Sequence, residues 1–347
     1  MHMPGIRVGY AAFRKPASTY MTDQTQLLGI SNAIVDVLSH VDGDFLDRIG
    51  ARPGSMTLID ECRAHEIYAL MGPATEMSGG SVANTVAGFA NLGGAAAYIG
   101  RVNRDQLGEI FVHDMRSLGV DVRLTPVPAN SPTARCHVLI GKDGQRTMQT
   151  FLGACTELSV HDVTDSTVGA PAIILLEGYV WDIAEGPALA QKAIDIAREN
   201  GSKVALSLSD SFCVQRHRDA FHDAVRNGVD IVVADEDEVN ALLRTDSFED
   251  TLEALTDYDN LFAMTRSEKG SVIRHGRQTI VQPATRVDTI IDTTGAGDAY
   301  CAGFLYGWTH GKDLGTSAAL GTYCATRVIQ QVGARIEPGL LDAFDAR

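Results

Sequence analysis

The sequence predicts an α/β protein built on a mostly parallel sheet covered on both faces, with a second, smaller β-sheet beside it. Three observations predict this. Short, continuous apolar runs recur along the 347 residues. Segments with helical patterning separate them, the signature of a parallel sheet buried from both sides. Two segments, about 33–60 and 133–152, break that rhythm and read as half-exposed strands.

In chain order, Leu27-Leu-Gly-Ile30 reads as the first strand. In the stretch 33–60, Val35, Val37 and Leu38 alternate with polar residues before a turn-rich region, which predicts strands of the smaller sheet. Ser81 to Leu92 reads as a helix, Ala95–Ile99 as a buried strand, and Gln106 to Leu118 as an amphipathic helix stopped by Gly119. Arg135–Gly141 and Gln145–Phe151 flank the turn Lys142-Asp-Gly144, a hairpin signal. Four apolar runs follow: Ala172–Leu176, Val204–Leu208, Ile231–Ala234 and Leu261–Met264. The helical stretches Ala188–Glu199, Asp219–Asn227 and Glu236–Leu243 separate them. Ser271–Arg274 and Thr279–Gln282 form a hairpin around Gly276. Thr289-Ile-Ile291 looks strand-like, and helices over 296–310 and 313–331 complete the fold.

Composition narrows the function. The net charge is −15 and the chain is 45% apolar. Lys and Arg form no basic stripe, so nucleic acid is excluded as a partner. No apolar run reaches the length of a membrane span. Six cysteines lie at irregular spacings without a C-x-x-C pair, which suits a reducing, cytoplasmic setting and argues against a zinc ribbon or redox dithiol. The ten histidines read as structural or surface residues rather than metal ligands. Residues 1–24 read as a disordered N-terminal extension without a secretory signal, ahead of a single unit over 25–347. The pattern is compatible with a monomer or a homodimer.

The most informative seven residues are Asp292-Thr-Thr-Gly-Ala-Gly-Asp298, placed where a strand-like run gives way to a helix. Small residues at Gly295, Ala296 and Gly297 let a ligand approach the backbone, and the first amides of a helix point outward without partners. That combination, aided by the helix dipole, favours an anion. An acid beside a phosphate is repelled unless it has work to do, so Asp298 reads as the base that takes a proton from an attacking hydroxyl. A plain capped helix start would display the same residues. The phosphate loop G-x-x-x-x-G-K-[ST] is absent: neither Gly141-Lys142 nor Gly311-Lys312 supplies it. A dinucleotide fingerprint fails because Tyr300 stands where its closing glycine belongs.

Upstream, Met77-Ser-Gly79-Gly80-Ser81-Val-Ala-Asn84 opens the first long helix, and Asn32 and Asp36 follow the first strand. Together and in this order, these motifs resemble the ribokinase-like (PfkB-type) family of carbohydrate and nucleoside kinases, over nearly everything from residue 25 onward. Within it the sequence is similar to the adenosine kinases: ribokinases typically carry Lys where Ser81 stands, and Gly321–Gly333 is similar to the adenosine kinase C-terminal helix and loop. The resemblance implies a ribokinase-like three-layer αβα sandwich with a β-sheet lid. It also implies ATP and Mg²⁺, and Asp298 as catalytic base with an anion hole at Gly295, Ala296 and Gly297. It assigns Asp36, Gly79, Gly80 and Asn84, with Asn32 nearby, to the acceptor's hydroxyls. Thr265 and Gly270 become nucleotide neighbours, and Arg146 in the hairpin a residue that reaches the phosphates; a solvated surface arginine is the alternative reading. Asp292 and Thr294 match residues that hold K⁺ in some members.

Two departures stand out. The family's N-x-x-E motif, tied to magnesium and phosphate, appears as Asp235-Glu-Asp-Glu238, so Glu238 supplies the acid (to Mg²⁺ through water) while Asp235 replaces Asn. In T-x-G-x-x-G, Ser267 replaces the first glycine. The expected activity is phosphorylation of adenosine at its 5′-hydroxyl. Alternatives are a kinase for a sugar such as ribose or fructose or for another nucleoside, a non-catalytic sensor on the same fold, and an oxidoreductase.

Overall fold

The computed structural model describes residues 24–124, 126–142 and 144–346. The N-terminal extension expected over 1–24 therefore lies almost wholly outside the described residues. Its strands are β1 (Leu27–Ile30), β2 (Ile34–His40), β3 (Met56–Leu58), β4 (Thr75–Gly79), β5 (Ala96–Ile99), β6 (Asp121–Val122), β7 (Ala134–Ile140), β8 (Arg146–Phe151), β9 (Ile173–Glu177), β10 (Lys203–Ser207), β11 (Ile231–Asp235), β12 (Leu261–Thr265), β13 (Ser271–His275) and β14 (Gln278–Gln282). Nine of them form the main sheet in the order β14-β13-β12-β11-β10-β9-β1-β5-β6. It is parallel from β6 through β12, and the β13–β14 hairpin adds an antiparallel edge.

Strand periodicity sorts the side chains between two cores. On β1 and β9, Leu27, Ile173 and Leu175 face one layer with the helices Ser81–Asn91, Gln106–Ser117, Ala296–Thr309 and Leu314–Val328. Leu28, Ile30, Ile174 and Leu176 face the other, with Gly186–Asn200, Ser211–Asn227, Glu236–Leu243 and Phe248–Ala254. Both faces of these strands are therefore apolar, which is why their sequences lack alternation. The result is the three-layer αβα sandwich of the ribokinase-like fold.

The smaller sheet runs β3-β8-β7-β2-β4. It departs from expectation in two ways. Within 33–60 only β2 and β3 are strands, and Gly43–Arg48 between them is a helix capped by Asp42. The strand β4 lies outside the expected segments. One face of the sheet is covered: Leu139 packs with Phe45, Leu46, Ile49 and, from the Glu61–Leu70 helix, Ile67. Its other face carries Ile34, Leu38, Cys136, Val138, Ile140 and Met148.

Two further expectations change. Residues 289–291 are not a strand; Ile290 and Ile291 are 59% and 45% exposed, and the Ile291 amide bonds the Ile329 carbonyl instead of a sheet neighbour. An apolar pair without a partner strand makes no ladder. A last helix, Leu340–Asp345, follows the two expected at the C-terminus.

Asp105 ties the two sheets together. One carboxylate oxygen accepts from Gly108 N–H (2.9 Å) at the helix start and from Thr133 Oγ (2.6 Å), and the other accepts from Thr133 N–H (2.8 Å) just before β7. Asp105→Ala removes a helix cap and the anchor of the β7 strand together. Urea denaturation is expected to show a loss of about 2–3 kcal/mol, more than a cap alone contributes.

Candidate active site

Ligand sites in open α/β sheets lie beyond the carboxyl ends of the parallel strands, and the chemistry-bearing residues gather there. β1 runs into Ser31 and Asn32, β9 ends on Glu177, β11 on Asp235 and β12 on Thr265. Two helices begin at the same edge, one at Ser81 and one at Ala296.

Asn32 is buried, donates its backbone N–H to Glu177 Oε2 (3.0 Å), and has a buried side-chain oxygen without a partner among the described residues. Asp36 on β2 lies against Gly79 of β4. A Cβ at Gly79 would sit 2.4 Å from the Asp36 carboxyl carbon, so only glycine lets the carboxylate lie there. Gly80 turns the chain into the helix with φ +95°, a conformation that side chains resist. The five residues expected to hold an acceptor are thus brought together.

Asp298 faces them from the other helix. Ser81 Oγ donates to one of its oxygens (2.7 Å), Asn84 Nδ2 to the other (3.0 Å), and Thr85 Oγ to its backbone carbonyl (3.2 Å). Asn84, expected to bind the acceptor, therefore also holds this carboxylate. Gly295 adopts φ +73°, and a Cβ there would lie 2.3 Å from that of Ala334. Of the three residues expected to form the anion hole, Ala296 spends its N–H on the Thr293 carbonyl (3.2 Å). Gly297 is exposed, with open space where a Cβ would project.

Burial dominates the electrostatics. It pushes the Asp298 carboxyl up to about 6, although Ser81, Asn84 and the Arg335 charge all favour the ionised form. Asp36 also rises to about 6 through burial; Arg335 and Arg146 oppose this and Asp298 adds to it. Glu177 reaches about 7, again through burial, moderated by the Asn32 amide. Three carboxyls thus sit near neutrality in one cleft, a concentration typical of functional sites.

Arg146 is not a solvated surface residue. Its side chain is 7% exposed and ion-pairs with Asp292, itself 4% exposed. Asp292 also accepts from the amides of Thr294 (3.0 Å) and Gly333 (2.9 Å). Arg146 thus balances the charge of this carboxylate, and the Thr294 and Gly333 amides orient it.

Asp235 and Glu238 form a reciprocal capping box: Glu238 N–H donates to Asp235 (2.8 Å) and Asp235 N–H to Glu238 Oε2 (2.9 Å). Aspartate thus replaces Asn without losing the cap. Burial pushes Glu238 up to about 8, and Asp235, Asp210 and Asp237 raise it further. With one oxygen committed to the cap, Glu238 suits a divalent cation through water rather than directly, and the surrounding acids supply an attractive field. Thr265 pairs with Asp235 across β11 and β12. Gly270 has φ +90° and a Cβ there would meet the Gln282 carbonyl oxygen at 2.1 Å, so its first role is to let β13 and β14 close.

Sequence reasoning missed three residues. Ser81 was noted only as a missing Lys, yet it donates to Asp298. Glu177 and Arg335 carried no motif. Arg335 donates to the Ser78 carbonyl and Oγ (2.6 Å for the latter) and lies 3.8 Å from Asp114. The acid closing an otherwise apolar strand, Ile173-Ile-Leu-Leu-Glu177, was the available signal for Glu177. Cys213 and His217, one helical turn apart, lie with Asp182 so that their ligand atoms are within 4.8 Å of one another. Asp182 is already bound by Arg216 (2.7 Å), so this cluster forms an ion-pair network.

Two helix starts, each with glycines and an acid, face one another on an α/β sheet, an arrangement suited to phosphoryl transfer to a hydroxyl. The chain belongs to the pfkB family of carbohydrate kinases, whose pattern matches residues 65–339. The crystal structure of adenosine kinase from Sinorhizobium meliloti is 44% identical, with a TM-score of 0.86 over 93% of this chain and 99% of that one. A probable sugar kinase from Rhizobium etli is 43% identical, with the same TM-score, covering 93% and 98%. The adenosine kinase of Saccharomyces cerevisiae is 25% identical over 88% of this chain and 95% of its own. The protein is a nucleoside or sugar kinase that uses ATP as cosubstrate, and Mg²⁺ is typical of such enzymes.

Ser267, which stands where the family motif has glycine, keeps a left-handed backbone with φ +50°. That conformation strains a side chain. Ser267→Gly is expected to stabilise the fold by about 0.5–1 kcal/mol, read as a higher midpoint in thermal denaturation.

Proposed function

We propose that the enzyme transfers the γ-phosphoryl group of ATP to the 5′-hydroxyl of a nucleoside, adenosine foremost. The observation that carries this reading is the Asp298 carboxylate, fixed by Ser81 (2.7 Å) and Asn84 (3.0 Å) in the first turn of a helix where the preceding residue, Gly297, opens onto free space. A base must be oriented, ionised near neutral pH, and close to where the phosphoryl group lands. Two donors orient Asp298, and its shift to about 6 leaves it ionised at pH 7 yet more basic than an exposed carboxylate.

In this reading Asp36 and the Gly79–Gly80 backbone receive the ribose hydroxyls, with the buried Asn32 oxygen nearby. A carboxylate accepts two vicinal hydroxyl protons well. Asp298 takes the proton of the 5′-hydroxyl as its oxygen attacks phosphorus in line. The amide of Gly297, at the opening of the helix, faces the charge that grows on the phosphoryl oxygens. When bound, Mg²⁺ neutralises the phosphates; Glu238 would hold it through water. Thr265 and the Gly270 turn border the nucleotide. The smaller sheet acts as a lid that excludes water.

The apolar face of that sheet favours a nucleoside over a free sugar. Ile34, Leu38, Cys136, Val138, Ile140 and Met148 cluster on the side that carries Asp36. A free sugar has no apolar surface to match this wall, whereas a purine has two flat faces. The resemblance to adenosine kinases supports the same substrate. All six cysteines are free, five of them buried, which suits the cytoplasm. Among the described residues no helix is long and apolar enough to cross a membrane.

Three outcomes test this reading. Asp298→Asn should lower kcat by about 10²–10⁴-fold with acceptor affinity little changed; near-normal turnover would overturn Asp298 as the base. The wild-type kcat/KM should fall on the acid side through a pKa of about 6, because the base is lost once protonated. In an ADP-release assay over adenosine, other nucleosides, ribose and fructose, adenosine should give the highest kcat/KM, and a sugar in first place would replace the nucleoside reading.

A further inference from the structure

Between the last long helix and the C-terminal one, Arg335 reaches into the cleft from a loop that no motif covers. Its guanidinium donates to the Ser78 carbonyl and Oγ (2.6 Å) at the end of β4, and lies 3.4 Å from the Ala83 carbonyl of the Ser81–Asn91 helix. Asp114 of the Gln106–Ser117 helix lies 3.8 Å away and also binds Ser78, through its N–H at 2.8 Å. The contacts therefore join three elements, one residue ahead of the Gly79–Gly80 turn.

The surrounding charges give this clamp a second consequence. Asp36 comes from β2, Asp298 from the second helix start and Glu177 from β9, three acids around one cleft. The cations acting on them are Arg335, which bears on both Asp36 and Asp298, and Arg146, which bears on Asp36 but is already paired with Asp292. Asp114 is the acid nearest Arg335, and the other titratable neighbours are the buried thiols Cys136 beside Asp36, Cys155 beside Glu177 and Cys301 on the Asp298 helix, with the Tyr98 phenol beside Arg335, all four neutral near pH 7. No other cation in this set opposes the negative charge on Asp298.

We propose that Arg335 is a positioning residue for phosphoryl transfer: it clamps the β4 end that carries Gly79 and Gly80, and its charge offsets the mutual repulsion of Asp36 and Asp298 so that both stay ionised. The kinetic part of this proposal rests on Asp298 acting as the base; the electrostatic part does not.

Two variants separate charge from shape. Arg335→Gln keeps a donor for Ser78 but removes the charge, whereas Arg335→Lys keeps the charge and loses the fork. Wild type and both variants are compared by the pH dependence of kcat/KM with the best acceptor, and by ¹³C NMR titration of the aspartate carboxylates. Arg335→Gln should move the acid limb and the Asp298 titration upward by about half to one pH unit, so the rate lost at pH 6 exceeds that lost at pH 8.5 by roughly two- to fivefold. Arg335→Lys should leave both near the wild-type position while raising the acceptor KM. An unmoved titration in Arg335→Gln, or the same shift in both variants, would overturn the proposal. If Arg335→Gln does not fold, Arg335→Lys decides: an unmoved titration with raised KM supports the clamp, and a shifted one overturns it. The carboxylate titration is independent of turnover. A shifted titration with an unmoved acid limb would therefore indict the role of Asp298 and leave that of Arg335 standing.

Discussion

The cleft depends on a single carboxylate that joins two helix starts. Asp298 lies in the first turn of one helix, and its oxygens are held by Ser81 and Asn84 from the first turn of another. Both helices rest on the same face of the main sheet. The contact therefore fixes the separation of the Gly79–Gly80 turn and the Gly295–Gly297 turn. In the proposed reaction a hydroxyl and a phosphate meet between those turns, and this carboxylate sets where. Hydrogen bonds to charged groups are stronger than neutral ones and better directed. The same two bonds that brace the helices also aim the acid.

The second sheet is linked to this centre by packing and by charge. Gly79 exists as glycine because the Asp36 carboxyl occupies the space its side chain would need. Moving β2 relative to β4 would therefore move the Asp36 carboxylate together with the wall of apolar side chains beside it. Asp105 performs the mechanical part of the linkage by tying the start of β7 to the Gln106–Ser117 helix, and Asp114 of that helix reaches Ser78. Substrate shape, sheet position and helix position are thus read through a few shared side chains.

Much of this was legible in the sequence, for identifiable reasons. The parallel strands were readable because burial on both faces leaves runs such as Ile173–Leu176 without polar residues. The two glycine-rich helix starts were readable because close backbone approach restricts them to few residue types. β3 was obscured because all three of its residues are exposed, and β4 because Thr75-Glu-Met-Ser-Gly79 has little apolar content. The Glu61–Leu70 helix buries only Ala64 and Ile67, too narrow a stripe to read. The error at Ile290-Ile291 had the opposite cause: apolar residues signal burial, and here none occurs. Glu177 and Arg335 were hidden because a charged residue in a sequence does not announce whether it will be buried.

The position of Arg146 connects these observations. Its guanidinium balances Asp292, just before the Gly295–Gly297 turn, and acts on Asp36 beneath the second sheet. In the proposed reading, an anion seated on the helix start would compete with Asp292 for that guanidinium, while an acceptor on Asp36 would feel its charge. Two ligands that share one cation cannot bind independently, because whatever shifts Arg146 for one alters the field at the other. Arg146 stands on β8, so the coupling also acts on the strand that carries it. One buried arginine thus lies between an acid on the smaller sheet and an acid beside the Gly295–Gly297 turn, so a change of charge at either carboxylate is felt at the other.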